Sequence, residues 1–135
     1  MTVDPERSRI MRAVKSRDTA PEMTVRRLVY SMGYRYRLHR KDLPGKPDLT
    51  FQSRRKVIFI HGCFWHGHDC KRGARVPKNN REYWETKIAR NRARDSQHDE
   101  GLRREGWRIL VVWECQIQEQ TALIDLIRRF LEDRV

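Results

Sequence analysis

KVIFIHGCFWHGHDC runs from Lys56 to Cys70, and the rest of the chain can be arranged around it. Val57-Ile58-Phe59-Ile60 is a short, continuous apolar run of β-branched and aromatic residues, the composition of a buried strand. It stops at His61-Gly62. The next positions bring Cys63, His66, His68 and Cys70, all able to bind metal or move protons, with Phe64 and Trp65 among them. A buried strand that ends in a dense polar and aromatic turn is how a rigid scaffold presents a site. The plain alternative, a strand followed by an inconsequential loop, has to explain four such groups crowded into one turn.

Outward from this strand, the residues just before it suggest a hairpin. Asp48-Leu49-Thr50-Phe51 reads as a second strand, joined to the central one through a turn at Ser53-Arg54-Arg55. In a short antiparallel hairpin the start of one strand lies beside the end of the other. Asp48 is therefore expected next to Ile60 and His61, and a carboxylate and a histidine meeting at strand ends suggest a metal or acid–base site. Tyr34 to His39 reads as a further strand, and Leu43-Pro44-Gly45-Lys46-Pro47 as the turn between it and Asp48.

Helices flank these strands. Asp18 or Thr19 can cap the first, Pro21 suits its first turn, and Glu22 suits the positive end of its dipole. Val25, Leu28, Val29 and Met32 supply the apolar face, and Gly33 ends the helix. Glu22 lies seven residues before Val29, roughly on the inward side; a dipole-favoured first-turn acid is its bland reading. A long helix from about Asn80 to Glu105 carries the inward stripe Trp84, Ile88, Asn91, Asp95, His98, Leu102. A purely structural helix would place leucines at those polar positions, so Asn91 and Asp95 argue for contact with a polar site. Arg108–Trp113 reads as another buried strand, and Leu123, Ile124, Ile127 and Leu131 mark a final amphipathic helix. The order αβββαβα describes an α/β fold, a mixed sheet flanked by helices.

Composition bounds the partners. In 135 residues, 30 Lys+Arg stand against 18 Asp+Glu, a net charge of +12. That excess points to nucleic acid, because neutralising phosphates supplies most non-specific affinity. The segment Asp4–Asp18 is basic, with Arg7, Arg9, Arg12, Lys15 and Arg17, and reads as an arm (residues 1–18) on a single domain spanning 1–135. A membrane is a weaker partner, since no segment is apolar enough to span one. Met1 to Arg12 has no secretory character, and three cysteines make an odd number. Both features suggest a cytoplasmic protein whose cysteines bind metal instead of forming disulfides. Cys63, His68, Cys70 and Cys115 form a Cys3His set of the kind that closes structural zinc sites. His61 and His66 are left for chemistry.

Four ordered stretches, LPGKPDLTF, VIFIHGCFWHGHDC, REYWETKIARNRARD and GWRILVVWEC, together resemble the very short patch repair (Vsr) endonucleases. The likeness covers roughly Ser8 to Cys115, and MRAVKSRDTAPE is similar to the family's opening segment. It implies a restriction-endonuclease-like fold and a bacterial, cytoplasmic enzyme that acts on nucleoid DNA. The activity implied is Mg2+-dependent nicking of one strand at a T:G mismatch, by a monomer, with mismatch-repair proteins as possible partners. By the resemblance Asp48 and the carbonyl of Ile60 bind Mg2+, His66 is the general base and His61 a second active-site histidine. Glu22 and Asp95 match acids of the catalytic neighbourhood, and Cys63, His68, Cys70 and Cys115 match the zinc ligands. Met11, Phe64, Trp65 and Trp84 match residues that wedge into the duplex, with Lys87 and Asn91 as further DNA contacts. Two departures stand out. The wider superfamily's Glu-x-Lys is replaced by Phe59 and His61, as in this family generally, and Ile60 stands where Thr is usual. A zinc-stabilised DNA-binding module without catalysis, or a nuclease of the same fold with other specificity, are the alternative readings.

Overall fold

A computed structural model of the chain describes residues 19–64, 66, 68, 70 and 78–133. The basic arm with Met11, and Trp65 in the central turn, lie outside the described residues. The elements follow the order α1 (Ala20–Ser31), β1 (Arg37–Leu38), β2 (Leu49–Phe51), β3 (Lys56–His61), α2 (Arg81–Arg104), β4 (Arg108–Trp113) and α3 (Gln120–Glu132). The four strands make one mixed sheet in the order β1-β2-β3-β4. The first two pairings are antiparallel, and β3 pairs with β4 in parallel, from Lys56 beside Arg108 to His61 beside Trp113.

Strand β3 has an apolar run on both of its faces because both faces are covered. Side chains alternate across a strand. Ile58 and Ile60 therefore face the cluster built with Val25 and Val29 of α1, Leu49, Phe51, Val112, and Leu123, Ile127 and Leu131 of α3. Val57 and Phe59 face the other way, with Leu43, Leu102, Trp107 and Ile109. In α2, Trp84, Ile88 and Leu102 are buried while Asn91, Asp95 and His98 are half-buried, so the stripe read from spacing is the inner face.

Strand β1 is shorter than its sequence suggests. Tyr34 N–H still bonds back to Val29 in α1, and His39 takes a left-handed backbone (φ 49), so only Arg37 and Leu38 pair with β2. Asp48 sits one residue before β2 instead of within it. Lys56 is buried at the start of β3, where its ammonium donates to the carbonyls of Phe130 (2.6 Å), Leu131 (3.0 Å) and Asp133. A cation there satisfies carbonyls that the end of α3 cannot. Because β3 and β4 run parallel, both deliver their C-terminal residues to one edge, the usual place for a site in such a sheet. Among the described residues no helix is long and apolar enough to cross a membrane.

Candidate active site and metal centre

Three clusters of metal-binding or acid–base groups gather at that edge. The first joins the turn after β3 to the end of β4: Cys63, His68, Cys70 and Cys115 each offer a donor atom, all within 4.8 Å of one another. Cys115 Sγ lies 3.6 Å from His68 Nδ1, and Cys115 N–H donates to Cys63 Sγ at 3.3 Å. Bonds of about 2.3 Å to sulfur and 2.0 Å to nitrogen put the donors of a tetrahedral zinc about 3.5 Å apart, so this set fits that ion. Burial, with the neighbouring thiols, pushes the Cys63 thiol up to about 12. Such a thiol is ionised at neutral pH only with a cation beside it. Trp113 stacks on His68 with ring centres 4.2 Å apart and walls the cluster from its neighbour.

The second cluster is His61, His66 and Asp95. His66 Nδ1 lies 2.5 Å from Asp95 Oδ2, so the polar interruption of the α2 stripe reaches the turn after β3. The His61 and His66 rings are parallel, with centres 3.8 Å apart. Burial, then the adjacent His66 ring, lowers the His61 pKa to about 4, and Asp95 offsets part of that. His61 is thus neutral at pH 7, and its buried Nδ1 has no hydrogen-bond partner among the described residues.

The third cluster is Glu22, His39 and Asp48. The expected meeting of Asp48 with the end of β3 is present: Ile60 N–H donates to Asp48 Oδ2 at 2.7 Å. Glu22 is buried on the inward side of the first turn of α1. It pairs with Arg26 one turn along α1, and His39 Nε2 lies 3.1 Å from its Oε2. Asp48 is held up at a pKa of about 7, mainly by burial, against the Ile60 N–H and with a hydrogen bond to Glu22 adding to the rise.

A cleft of about 920 Å³ connects the second and third clusters. Asp48, Ile60, His61, His66 and Asp95 line it, and Lys41, Lys46, Arg92 and Arg94 bring positive charge to its walls. Its floor is shaped by close packing at Gly45 (φ 77), where a Cβ would stand 3.0 Å from that of His98.

The expected duplex-wedging residues fall differently. Phe64 and Trp84 touch edge to face, with centres 5.6 Å apart, and Trp84 is only 5% exposed. The exposed ring on that turn of α2 is Tyr83, with Lys87 Nζ 5.9 Å from its centre. Asn91 is half-buried one turn beyond Lys87. Sequence reasoning passes over His39, Arg26 and Trp113. Arg26 stands four residues after Glu22, the spacing of a helical ion pair, and that was the available signal.

A parallel strand pair that delivers a Cys3His metal-binding set, beside a basic cleft holding an Asp, two His and a further acid, has the make-up of a hydrolytic enzyme for a polyanionic substrate. The sequence model of the family described as DNA mismatch endonuclease Vsr matches residues 2–72. The chain is 52% identical over 131 residues to "Type II nicking enzyme V.XorIIP" of Xanthomonas oryzae pv. oryzae, covering 96% of each chain. It is 42% identical over 119 residues to "DNA mismatch endonuclease Vsr" of Escherichia coli, covering 88% of this chain and 76% of that one. A "Type II nicking enzyme V.NmeAIP" of Neisseria meningitidis is 37% identical over 128 residues, covering 95% and 91%. The chain belongs to the Vsr endonuclease family, and is an endonuclease.

Proposed function

We propose that this protein is a Mg2+-dependent DNA endonuclease that nicks one strand of a duplex at a T:G mismatch, as a single zinc-stabilised domain with a restriction-endonuclease-like core. The observation that carries this reading is the approach of Asp48 to the end of β3, across one cleft from the His66–Asp95 pair.

Asp48, with the Ile60 carbonyl, would hold the catalytic cation. Mg2+ usually keeps several waters and takes one or two carboxylates, which a half-buried Asp at a strand end satisfies. When bound, the cation offsets charge on the scissile phosphate and orients water. Asp95 holds His66 by Nδ1, which directs proton uptake to Nε2. His66 so held acts as the base toward the attacking water. His61, kept neutral by burial, packs His66 in place without adding a competing positive charge. Glu22, paired with Arg26, stands beside Asp48. Lys41, Lys46, Arg92 and Arg94 receive the strand phosphates, and Phe64, Trp65 and Met11 engage the mismatch. Monomeric action and cooperation with mismatch-repair proteins complete the reading.

Zinc held by Cys63, His68, Cys70 and Cys115 would tie the turn that carries His66 to the end of β4. Phosphodiester cleavage needs its base placed to within a fraction of an ångström, and a turn held only by its own backbone is a poor support for it.

A nicking assay on T:G and matched duplexes, with and without Mg2+, tests the proposal. Strand-specific nicking of the T:G duplex that disappears on chelation is the expected result. Equal cleavage of both duplexes refutes the mismatch specificity, and cleavage in chelator refutes the metal dependence.

A further inference from the structure

Three histidine rings meet one indole at the edge where β3 and β4 end. Trp113 is the last residue of β4 and pairs in parallel register with His61, the last of β3. Side chains at paired positions of neighbouring strands lie side by side on one face of the sheet. The indole centre is 5.3 Å from that of His61, with the planes at 75°, and 6.3 Å from that of His66, with the planes at 71°. The indole therefore stands across the His61–His66 stack, within edge-to-face distance of both rings. His68 lies nearly parallel to it, 19° off, with centres 4.2 Å apart. The backbone is held as well, since Trp113 N–H donates to Gln116 Oε1 at 2.8 Å.

His66 needs such a neighbour. The contact with Asp95 at Nδ1 pins one corner of the imidazole. Stacking on His61 fixes the plane of the ring. Neither stops the ring from turning within that plane about the pinned corner, and that turn is what carries Nε2 toward or away from the cleft. A surface that crosses the plane does stop it, and the indole is such a surface. Trp113 and His66 line the same cleft.

We propose that Trp113 is a positioning residue for the base: its indole, backed by His68, brackets the His61–His66 stack and holds Nε2 of His66 toward the cleft. This rests on the reading above that His66 is the base. It also gives the Cys3His set a part beyond anchoring the fold. A zinc that fixes His68 would fix, through the indole, the ring that takes up the proton. Leucine at this place is too short to bracket three imidazoles.

The test uses the full zinc-loaded chain, with single-turnover nicking of the T:G duplex in Mg2+, duplex titration and zinc analysis. Trp113→Leu is expected to slow nicking by roughly ten- to a hundredfold, the cost of displacing a catalytic group by about 1 Å, with duplex affinity and zinc content unchanged. Trp113→Phe recovers most of that rate, because a flat ring remains against the stack. In a His66→Ala background, adding Trp113→Leu slows the residual nicking by less than about twofold, since a residue acting through His66 has nothing left to position. His68→Cys keeps four zinc donors but removes the ring behind the indole, and covers the case in which Trp113→Leu does not fold. It is expected to retain zinc and to slow nicking in the same His66-dependent way. A rate within about twofold of wild type in folded Trp113→Leu, or in zinc-bound His68→Cys where Trp113→Leu does not fold, overturns the proposal and leaves His66 as the base. The full loss repeated in the His66→Ala background also overturns it, because the indole then acts elsewhere. A His66→Ala that nicks at the wild-type rate overturns both readings.

Discussion

His66 Nδ1 and Asp95 Oδ2, 29 residues apart in the chain, lie 2.5 Å from each other. The contact ties α2 to the turn after β3 and fixes which nitrogen of His66 is occupied. A base oriented in this way contributes about 10²- to 10⁴-fold to a hydrolysis rate. His66→Ala is expected to lose rate on that scale. Asp95→Asn should lower kcat by at least roughly tenfold, since the amide can still approach Nδ1 but cannot stabilise a charged imidazole. Neither change should weaken DNA binding much. Single-turnover nicking set beside duplex titration separates the two effects, and a kcat within twofold of wild type in either variant contradicts the assigned roles.

Removing one ligand of the proposed zinc should cost the fold more than it costs the charge balance. Cys115→Ser takes a donor from the end of β4 and leaves Cys63, buried and with its thiol pushed up to about 12, beside a weakened metal site. Metal binding in such a site is folding free energy. A loss of about 3 kcal/mol or more corresponds to a Tm lower by roughly 10 °C or more in a domain of this size. Metal analysis and thermal melts of both proteins check this. A folded wild type that contains no zinc rules out the centre.

The pH dependence of metal binding follows from Asp48. Its folded-state pKa, about 7, is raised above the usual carboxylate value. The metal-free chain therefore holds a proton there at pH 6, and an incoming cation must displace it. Mg2+ affinity should rise about tenfold per pH unit up to pH 7, where one proton is released per ion bound, and flatten above. For the metal-free protein, the raised pKa makes the contribution of Asp48 to folding stability largest below pH 4. That contribution is lost as pH rises toward 7. His61, lowered to about 4, acts in the opposite sense, contributing stability above its ordinary pKa of 6.5 and losing it as pH falls toward 4. Calorimetric titration of Mg2+ into wild type and Asp48→Asn at several pH values checks the first statement. A pH-independent wild-type affinity below 7 would falsify it.

Much of this arrangement is legible in the chain because short-range rules enforce it. A four-residue turn between Phe51 and Lys56 leaves Asp48 little choice but to lie beside Ile60. Helical spacing likewise places Asp95 on the inner face of α2 whatever α2 packs against. His39 and Arg26 are legible only in three dimensions. The left-handed backbone that ends β1 at His39 is adopted by a non-glycine residue, against local preference, and no local pattern announces it. Arg26 has the spacing to pair with Glu22, but whether the pair lies in water or under the sheet depends on α1 packing against strands far along the chain. Trp84 shows the same limit in reverse. Its place on the inner stripe predicts burial, while its likeness to a duplex-wedging residue predicts contact with DNA, and spacing alone does not rank the two.

The last prediction concerns that aromatic pair. Phe64 rests edge-on against Trp84, which is buried, so the two differ in what truncation would do. An edge-to-face pair is worth about 0.5–1.5 kcal/mol beyond the area it buries. Phe64→Ala should therefore cost a modest amount of stability, with zinc content and helicity unchanged. Trp84→Ala removes a core side chain and should cost about 3–5 kcal/mol. Separating a base step costs a few kcal/mol and is easier at a mismatch. If Phe64 is the side chain inserted at the T:G pair, its loss lowers T:G affinity by roughly tenfold or more and leaves matched-duplex affinity nearly unchanged. Arg92→Ala and Arg94→Ala provide the contrast, because a phosphate contact weakens both duplexes alike and reduces the salt dependence. Titrations of all three variants against both duplexes at one salt concentration decide it. An equal loss on the two duplexes for Phe64→Ala makes that ring a support for Trp84 and not a probe of the mismatch.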